Sequence, residues 1–140
     1  MALKTLHQMP VPTAMASLPD KMTRHLEDAV LPQALALDLL QRLTELCQLP
    51  STSHCLIHND IQAHNLLWGR SLKLIDWEYA CLGPHWLDLA RACLSLGLNA
   101  EETQSFLQTY GERDDQSLAF DLALKWVSDL DEAWTNHVDL

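Results

Sequence analysis

Polar side chains interrupt short apolar runs between residues 56 and 78, where the chain reads LIHNDIQAHNLLWGRSLKLIDWE. Asp60 is followed, after four intervening residues, by Asn65, and Asp76 comes directly after the run LKLI. Burying such groups costs free energy unless they find partners, so folding alone gives no reason for the pattern. A carboxylate can orient a hydroxyl and accept its proton, while an amide oxygen and a second carboxylate can hold Mg²⁺ beside phosphate. The three residues therefore suit phosphoryl transfer to a hydroxyl.

Other interpretations of these residues remain open. Each of the three alone could cap a turn, because Asp and Asn favour such positions. A metal-dependent hydrolase could use the same carboxylates. A zinc site has less support, because the nearby histidines and cysteines show no common zinc-ligand spacing. Those residues are His54, His58, His64, His85, Cys55 and Cys81.

The order and spacing of two motifs point to a family. The segment HNDIQAHN at 58–65, followed by DWE at 76–78, matches the phosphoryl-transfer template H-R-D-x-x-x-x-N and D-F-G. With IDWEYA, then a glycine and LDLA, the chain resembles the aminoglycoside phosphotransferase and choline kinase superfamily, and most of all its choline, ethanolamine or thiamine kinase branch. The resemblance is sharp from Leu56 to Ala90 and looser elsewhere.

The resemblance implies roles for single residues. Asp60 would be the catalytic base, and Asn65 and Asp76 would bind Mg²⁺. His58 and Asp88 would brace the catalytic loop. ATP would donate the phosphoryl group to a small-molecule alcohol, and a cationic alcohol is compatible with the acidic chain. Substrate contacts are implied for Gln62, Glu78, Trp126 and Trp134. His64 stands where relatives often have glycine.

The two late tryptophans have two interpretations. In choline-like members of the superfamily, C-terminal aromatic residues surround a quaternary ammonium group, which is attracted to ring faces. Trp126 and Trp134 could form such a box. An aromatic residue on an amphipathic helix can equally pack in the core.

The resemblance also predicts the domain organisation. Residues 1–140 would form one domain with a catalytic loop at 56–65, a metal-binding loop at 75–80 and C-terminal helices at 84–138. The expected fold is mainly α with a small β-hairpin insertion, which corresponds to a protein-kinase-like C-terminal lobe lacking the N-terminal lobe.

The absence of that N-terminal lobe is inferred from missing motifs. None of the four glycines lies in a glycine-rich loop, and the only lysines ahead of Asp60 are Lys4 and Lys21, both in helical segments. We therefore expect a truncated product or fragment that is inactive alone. The alternative is a non-catalytic remnant or binding module that keeps the fold. The uncovered face could meet a missing lobe or drive self-association.

Apolar periodicity predicts the surrounding elements. Helices are expected at 2–10, 20–30, 31–50, 85–98, 100–111 and 115–138, and short strands at CLI, NLLW and LKLI. Gly69, Arg70 and Ser71 would form the turn between the last two strands.

Composition narrows the class of protein. With 48% hydrophobic residues the chain can bury a core, and its net charge of −10 disfavours nucleic acid as a partner. No apolar run is long enough for a membrane span or a signal peptide. We expect a cytoplasmic protein whose cysteines are reduced.

Overall fold

The computed structural model describes residues 2–50, 52–112 and 117–137. Within these residues the chain forms six α-helices and four short strands. In chain order they are α1 (Ala2–His7), α2 (Leu18–Asp28), α3 (Gln33–Gln48), β1 (His54–Ile57), β2 (Leu66–Leu67), β3 (Lys73–Leu74), β4 (Cys81–Pro84), α4 (His85–Ser95), α5 (Ala100–Tyr110) and α6 (Ser117–His137).

The predicted, mainly helical architecture is confirmed. Every predicted helix is found, and local caps explain some of the ends. Ser17 precedes α2 and its hydroxyl accepts a hydrogen bond of 3.4 Å from the N–H of Asp20. Asn99 and Glu102 form a capping box at the start of α5. Residues 115, 116 and 138 of the predicted last helix lie outside the described residues. No helix in the described ranges combines the length and apolar character of a membrane span.

The predicted β-hairpin is also present. Strands β2 and β3 are antiparallel, with Leu66 opposite Leu74 and Leu67 opposite Lys73. The connection runs through Gly69 and the two residues after it, as expected. This hairpin joins the segment that carries Asn65 to the segment that carries Asp76.

A second small sheet was not fully predicted. Strand β1 pairs antiparallel with β4, with His54 opposite Pro84 and Ile57 opposite Cys81. Glycine and proline are depleted in strands, and β4 contains both in its CLGP sequence. The pairing therefore depends on contacts between distant residues, which local sequence does not reveal.

The core lies behind the loops that follow these strands. Helices α4 and α6 pack together and α6 also packs on α3. The α3 face predicted from leucine spacing is buried at Leu39, Leu43 and Leu46. Trp86 and Leu89 of α4 are also almost completely buried. The first residues of α4 are therefore closely packed, and this packing gives the adjacent loops a rigid support.

Gly83 marks the tightest packing between β4 and the rest of the core. A Cβ atom at this position would lie 2.8 Å from Cδ1 of Ile57 and 3.2 Å from Cβ of Leu18. Both neighbours are fully buried, so they have little room to move. We expect Gly83→Ala to lower the free energy of unfolding by about 1–3 kcal/mol, measured by urea denaturation. Gly69→Ala is the matched control, because its nearest atom would be 4.0 Å away.

The four cysteines are free, and three of them are buried, whereas Cys47 is half-buried. Burial raises the pKa of the Cys55 and Cys81 thiols to about 12. Both remain protonated thiols at neutral pH, and they pack as small apolar groups.

Candidate active site

The loop after β1 is attached to the hairpin by His58. This residue is fully buried. Its Nε2 donates a hydrogen bond of 2.8 Å to the carbonyl of Ile75, and its Nδ1 accepts one of 3.2 Å from the N–H of Asp60. A carbonyl only accepts and an N–H only donates, so these partners select the tautomer with its proton on Nε2. The histidine thus links the residue before Asp76 to Asp60 itself.

Asp88, at the start of α4, supports the same loop from below. Its Oδ2 accepts the N–H of His58 at 2.9 Å and its Oδ1 accepts the N–H of Asn59 at 2.8 Å. Asn59 has a φ of 63°, a left-handed conformation that is unfavourable for residues with a Cβ and that Asn tolerates better than most. The two hydrogen bonds therefore stabilise the bend that leads into Asp60.

Asp60 and Asn65 contact each other directly. Nδ2 of Asn65 donates to the carbonyl oxygen and to Oδ2 of Asp60, both at 2.9 Å. Nε2 of Gln62 donates to Oδ1 of Asp60 at 2.8 Å. A short 3₁₀ turn over Ala63–Asn65 produces this geometry. Two side-chain amides thus orient a carboxylate that is still partly exposed.

Asp76 reaches the same region through the residue before it. The N–H of Ile75 donates to the carbonyl of Asn65 at 3.0 Å, and the carbonyl of Ile75 accepts from His58. Asp76 itself has a φ of 63° and an exposed side chain. The structure therefore brings the segments of Asp60, Asn65 and Asp76 together at one end of the hairpin.

Asp60 and Asp76 line a cavity of about 330 Å³. Residues of α2 and α6 also line this cavity, as does a third carboxylate, that of Glu78. Nη1 of Arg91 binds Asp131 at 2.6 Å. Within the described residues, no ion pair involves Asp60, Asp76 or Glu78. Apolar and aromatic walls come from Met22, His25, Tyr79, Leu130 and Trp134.

Aromatic rings and carboxylates make this cavity favourable for a cation. His25 stacks on Trp134 with ring centroids 4.6 Å apart and forms a T-shaped pair with Tyr79 at a centroid distance of 5.2 Å. Burial lowers the pKa of His25, which favours the uncharged ring at neutral pH. Burial raises the pKa of the Tyr79 hydroxyl, and Glu78, Asp60 and Asp76 raise it further. The negative potential and the ring faces would both attract a positive group.

Two residues singled out from the sequence behave differently from the others. Trp126 does not line the cavity: it is 3% exposed and its Nε1 donates to the carbonyl of Leu39 at 2.9 Å. Trp126 therefore lies in the core, where it joins α6 to α3, which corresponds to the second of the two interpretations given for the tryptophans. His64 lies in the 3₁₀ turn and is exposed. The positive φ angles of the loop occur at Asn59 and Asp76, so the turn forms without glycine at position 64.

The donor set fits Mg²⁺ better than a metal that needs several protein ligands. Among the described residues, no cluster of three or more His, Cys, Asp or Glu is arranged to hold a metal. Asp76 offers an exposed carboxylate, and no hydrogen bond to Oδ1 of Asn65 is found in the described part of the chain. Mg²⁺ usually takes one or two carboxylates and completes its shell with phosphate and water. Asn65 and Asp76 could hold it in this way.

Sequence reasoning missed several residues that shape the site. His7, His25 and Arg91 lie on three different helices and reach the region only in the folded chain. Each looks like an ordinary polar residue on an amphipathic helix. Asn59 offered one usable clue, because Asn adopts the left-handed conformation more readily than most residues with a Cβ.

Comparisons with known proteins agree with this architecture. Many solved structures match the chain, and three of them illustrate the similarity. LicA in complex with AMP has a TM-score of 0.71 and 18% identity, over 96% of this chain and 50% of that one. A choline/ethanolamine kinase family protein from Mesorhizobium loti has a TM-score of 0.68 and 16% identity, over 95% of this chain and 50% of that one. Choline kinase LicA from Streptococcus pneumoniae has a TM-score of 0.64 and 18% identity, over 94% of this chain and 53% of that one. At such identities the likeness shows the fold alone, and the chain spans about half the length of these structures.

Sequence comparison gives the family. No curated protein matches the chain. A family model described as the phosphotransferase enzyme family matches residues 1–123, which is most of the 140 residues. The family resemblance inferred from HNDIQAHN and DWE is thus confirmed, and the chain belongs to the phosphotransferase enzyme family.

Proposed function

We propose that this chain forms the C-terminal lobe of an ATP- and Mg²⁺-dependent phosphotransferase that acts on a small-molecule hydroxyl. The observation that carries the proposal is the contact between Asp60 and Asn65 at 2.9 Å, with Asp76 attached to Asn65 through Ile75. Phosphoryl transfer needs few covalent steps from the protein and depends on positioning and charge neutralisation. The arrangement supplies groups for both.

Asp60 would act on the acceptor hydroxyl. A hydroxyl in the cavity could donate to the exposed edge of the carboxylate and pass its proton there as the oxygen attacks phosphorus. The orientation before reaction would supply part of the rate enhancement.

Asn65 and Asp76 would hold the metal ion. Bound Mg²⁺ would supply neutralisation of the negative charge on the phosphates of ATP. The hydrogen bond from Ile75 to Asn65 keeps these two ligands in register, and Nδ2 of Asn65 stays engaged with Asp60. Use of a nucleotide is supported by LicA, which was solved with AMP.

A cationic alcohol of the choline or ethanolamine type fits the cavity best. Trp134, His25 and Tyr79 offer ring faces or edges, and Glu78 offers negative charge. Two of the similar structures are described as choline or choline/ethanolamine kinases. Thiamine and aminoglycosides also carry positive charge and hydroxyls, so they are tested beside these two. A cytoplasmic location, where ATP and Mg²⁺ are available, goes with this proposal.

Metal binding gives a direct test. Mn²⁺ accepts the same oxygen ligands as Mg²⁺, and its binding in the presence of ATP can be followed by electron paramagnetic resonance. We expect Asp76→Asn to weaken Mn²⁺ binding by about tenfold or more. Asp131→Asn is the matched control, because this substitution also removes a charge from the cavity, whereas Asp131 is paired with Arg91 and is not a proposed metal ligand. Equal losses in both variants would contradict the assignment of Asp76.

The second candidate function is a binding module without turnover. It is favoured by the lysines ahead of Asp60, because Lys4 lies in α1 and Lys21 in α2, and neither lies on a strand where it could bind ATP phosphates. ADP formation from ATP is measured with choline, ethanolamine, thiamine or an aminoglycoside, with the chain alone and with the N-terminal lobe of a relative added. Binding of choline without ADP formation in either case would support the module. ADP formation that requires the alcohol would support the enzyme.

A further inference from the structure

A histidine in the first helix is connected to the catalytic loop through a buried network. Nε2 of His7 lies 2.9 Å from Oδ2 of Asp88, and Nδ1 of His7 lies 2.7 Å from the hydroxyl of Tyr110. The side chains of His7 and Asp88 are 3% and 0% exposed. The partners come from α4 and α5, so the network joins three elements that are far apart in sequence.

The chemistry of the partners fixes the orientation of the His7 ring. A carboxylate only accepts, so Nε2 must carry the proton that Asp88 receives. Burial raises the pKa of Tyr110 well above its ordinary value, so the phenol keeps its proton and can donate to Nδ1. The imidazole is therefore held on both sides, and it presents a donor to one oxygen of Asp88.

The same oxygen of Asp88 serves the loop. Oδ2 accepts from His7 and from the N–H of His58, while Oδ1 accepts from the N–H of Asn59. Asn59 has the left-handed φ of 63°, which persists only when its surroundings stabilise it. A rotated Asp88 carboxylate would lose one or both amides. His7 is the side-chain donor that opposes this rotation.

We infer that His7 is a positioning residue for phosphoryl transfer. It fixes the carboxylate of Asp88, and Asp88 in turn fixes the two amides that lead into Asp60. The link to catalysis rests on the proposed role of Asp60, whereas the effect on the loop does not. His7 does not line the cavity, so it acts through Asp88.

A purely structural role for His7 would have a different consequence. If the ring only attached α1 to the core, its loss would destabilise the fold as a whole. Hydrogen exchange of all slowly exchanging amides would then rise by one common factor. If His7 positions Asp88, the amides of His58 and Asn59 must respond more than others.

The experiment compares amide hydrogen exchange by NMR in His7→Leu, His7→Gln and wild type. The reference is the N–H of Leu82, which donates to the carbonyl of Ala16 at 2.9 Å, whereas the amides of His58 and Asn59 donate to Asp88. In His7→Leu we expect exchange at His58 and Asn59 to rise about tenfold or more relative to Leu82, the size expected for a lost hydrogen bond to a charged group. Glutamine carries a nitrogen donor at the position of Nε2, so His7→Gln should restore most of this protection.

Leu6→Ala is the matched control on the same helix. Leu6 is buried in the core and takes no part in the network, so its truncation should raise exchange at His58, Asn59 and Leu82 alike. A uniform rise in His7→Leu, or no rescue by glutamine, would overturn the inference. If His7→Leu does not fold, the ring nitrogens of wild-type His7 remain a test, because an NMR signature of a proton on Nδ1 alone would contradict the network.

Turnover separates this inference from the proposed function. If the chain is active, His7→Leu should lower kcat while leaving KM for the alcohol nearly unchanged, because the cavity wall is intact. Absence of activity in wild type would end the proposed function, yet a selective change of exchange would still support the role of His7 in the loop. A uniform change of exchange in an active enzyme would overturn the role of His7 and leave the proposed function in place.

Discussion

Replacing Asp60 with asparagine is expected to lower kcat for phosphoryl transfer by about 10²- to 10⁴-fold, the usual contribution of a positioned general base. Asparagine has the same shape, but its amide cannot accept the proton of the hydroxyl. One of the two donors at this site, Gln62 or Asn65, would then face an NH₂ group. Because Gln62 is partly exposed, it can turn away, and the fold should be retained. The measurement is steady-state ADP release with the best alcohol.

Asp131→Asn is the control that separates loss of a base from loss of charge. Asp131 lines the same cavity from α6 and carries the same charge as Asp60. Its substitution should raise KM for a cationic alcohol and change kcat little, because the residue does not contact Asp60. If the two variants gave the same kcat, Asp60 would act only as part of the negative potential. The assignment of a base would then be wrong.

The hairpin and the convergence of the two polar segments could be predicted because the relevant information is local. Two apolar runs flank Gly69, Arg70 and Ser71, and such a sequence favours a tight connection between paired strands. Once the runs pair, the residue after β3 must lie near the residue before β2. The structure has this arrangement, since Ile75 binds Asn65. Fixed spacing along a hairpin thus carries over into three dimensions.

Other parts of the site depend on contacts that no local pattern specifies. Strand β4 pairs with β1, yet its sequence CLGP shows no alternation of apolar and polar residues from which a strand could be predicted. Trp126 and Trp134 are eight positions apart on one helix, yet the first lies in the core and the second lines the cavity. Helical periodicity places both on roughly one face and cannot tell which part of that face meets α3. The outcome is decided by how α6 packs.

The network around Asp88 shows the same limit at a single residue. The family resemblance implied that Asp88 supports the loop, but no sequence pattern pointed to the residue that holds Asp88. His7 lies 81 positions away. From its position near the end of a short helix, His7 looks like an ordinary polar residue. Its contact with the buried carboxylate of Asp88 exists only in the folded chain.

Removing the Asp88 side chain is expected to have the largest effect on stability. Asp88→Ala would leave three buried or partly buried donors without their acceptor: the amides of His58 and Asn59 and Nε2 of His7. Each unsatisfied buried polar group costs about 1–3 kcal/mol. Water entering the space and movement of the loop would offset part of the sum, so we expect a loss of about 3–5 kcal/mol in the free energy of unfolding. Urea denaturation monitored by tryptophan fluorescence measures this.

Asp38→Ala provides the comparison for an aspartate in an ordinary ion pair. Asp38 contacts Arg42 at 3.0 Å, but its side chain is 58% exposed, so its loss should change stability by less than about 1 kcal/mol. A similarly small effect of Asp88→Ala would mean that the loop relaxes at little cost and that its left-handed turn at Asn59 needs no carboxylate. A large effect confined to Asp88 would instead indicate that the conformation of the loop carrying Asp60 is maintained by the packed core behind it. In that case stability and catalysis share one side chain, and substitutions at position 88 should reduce both together.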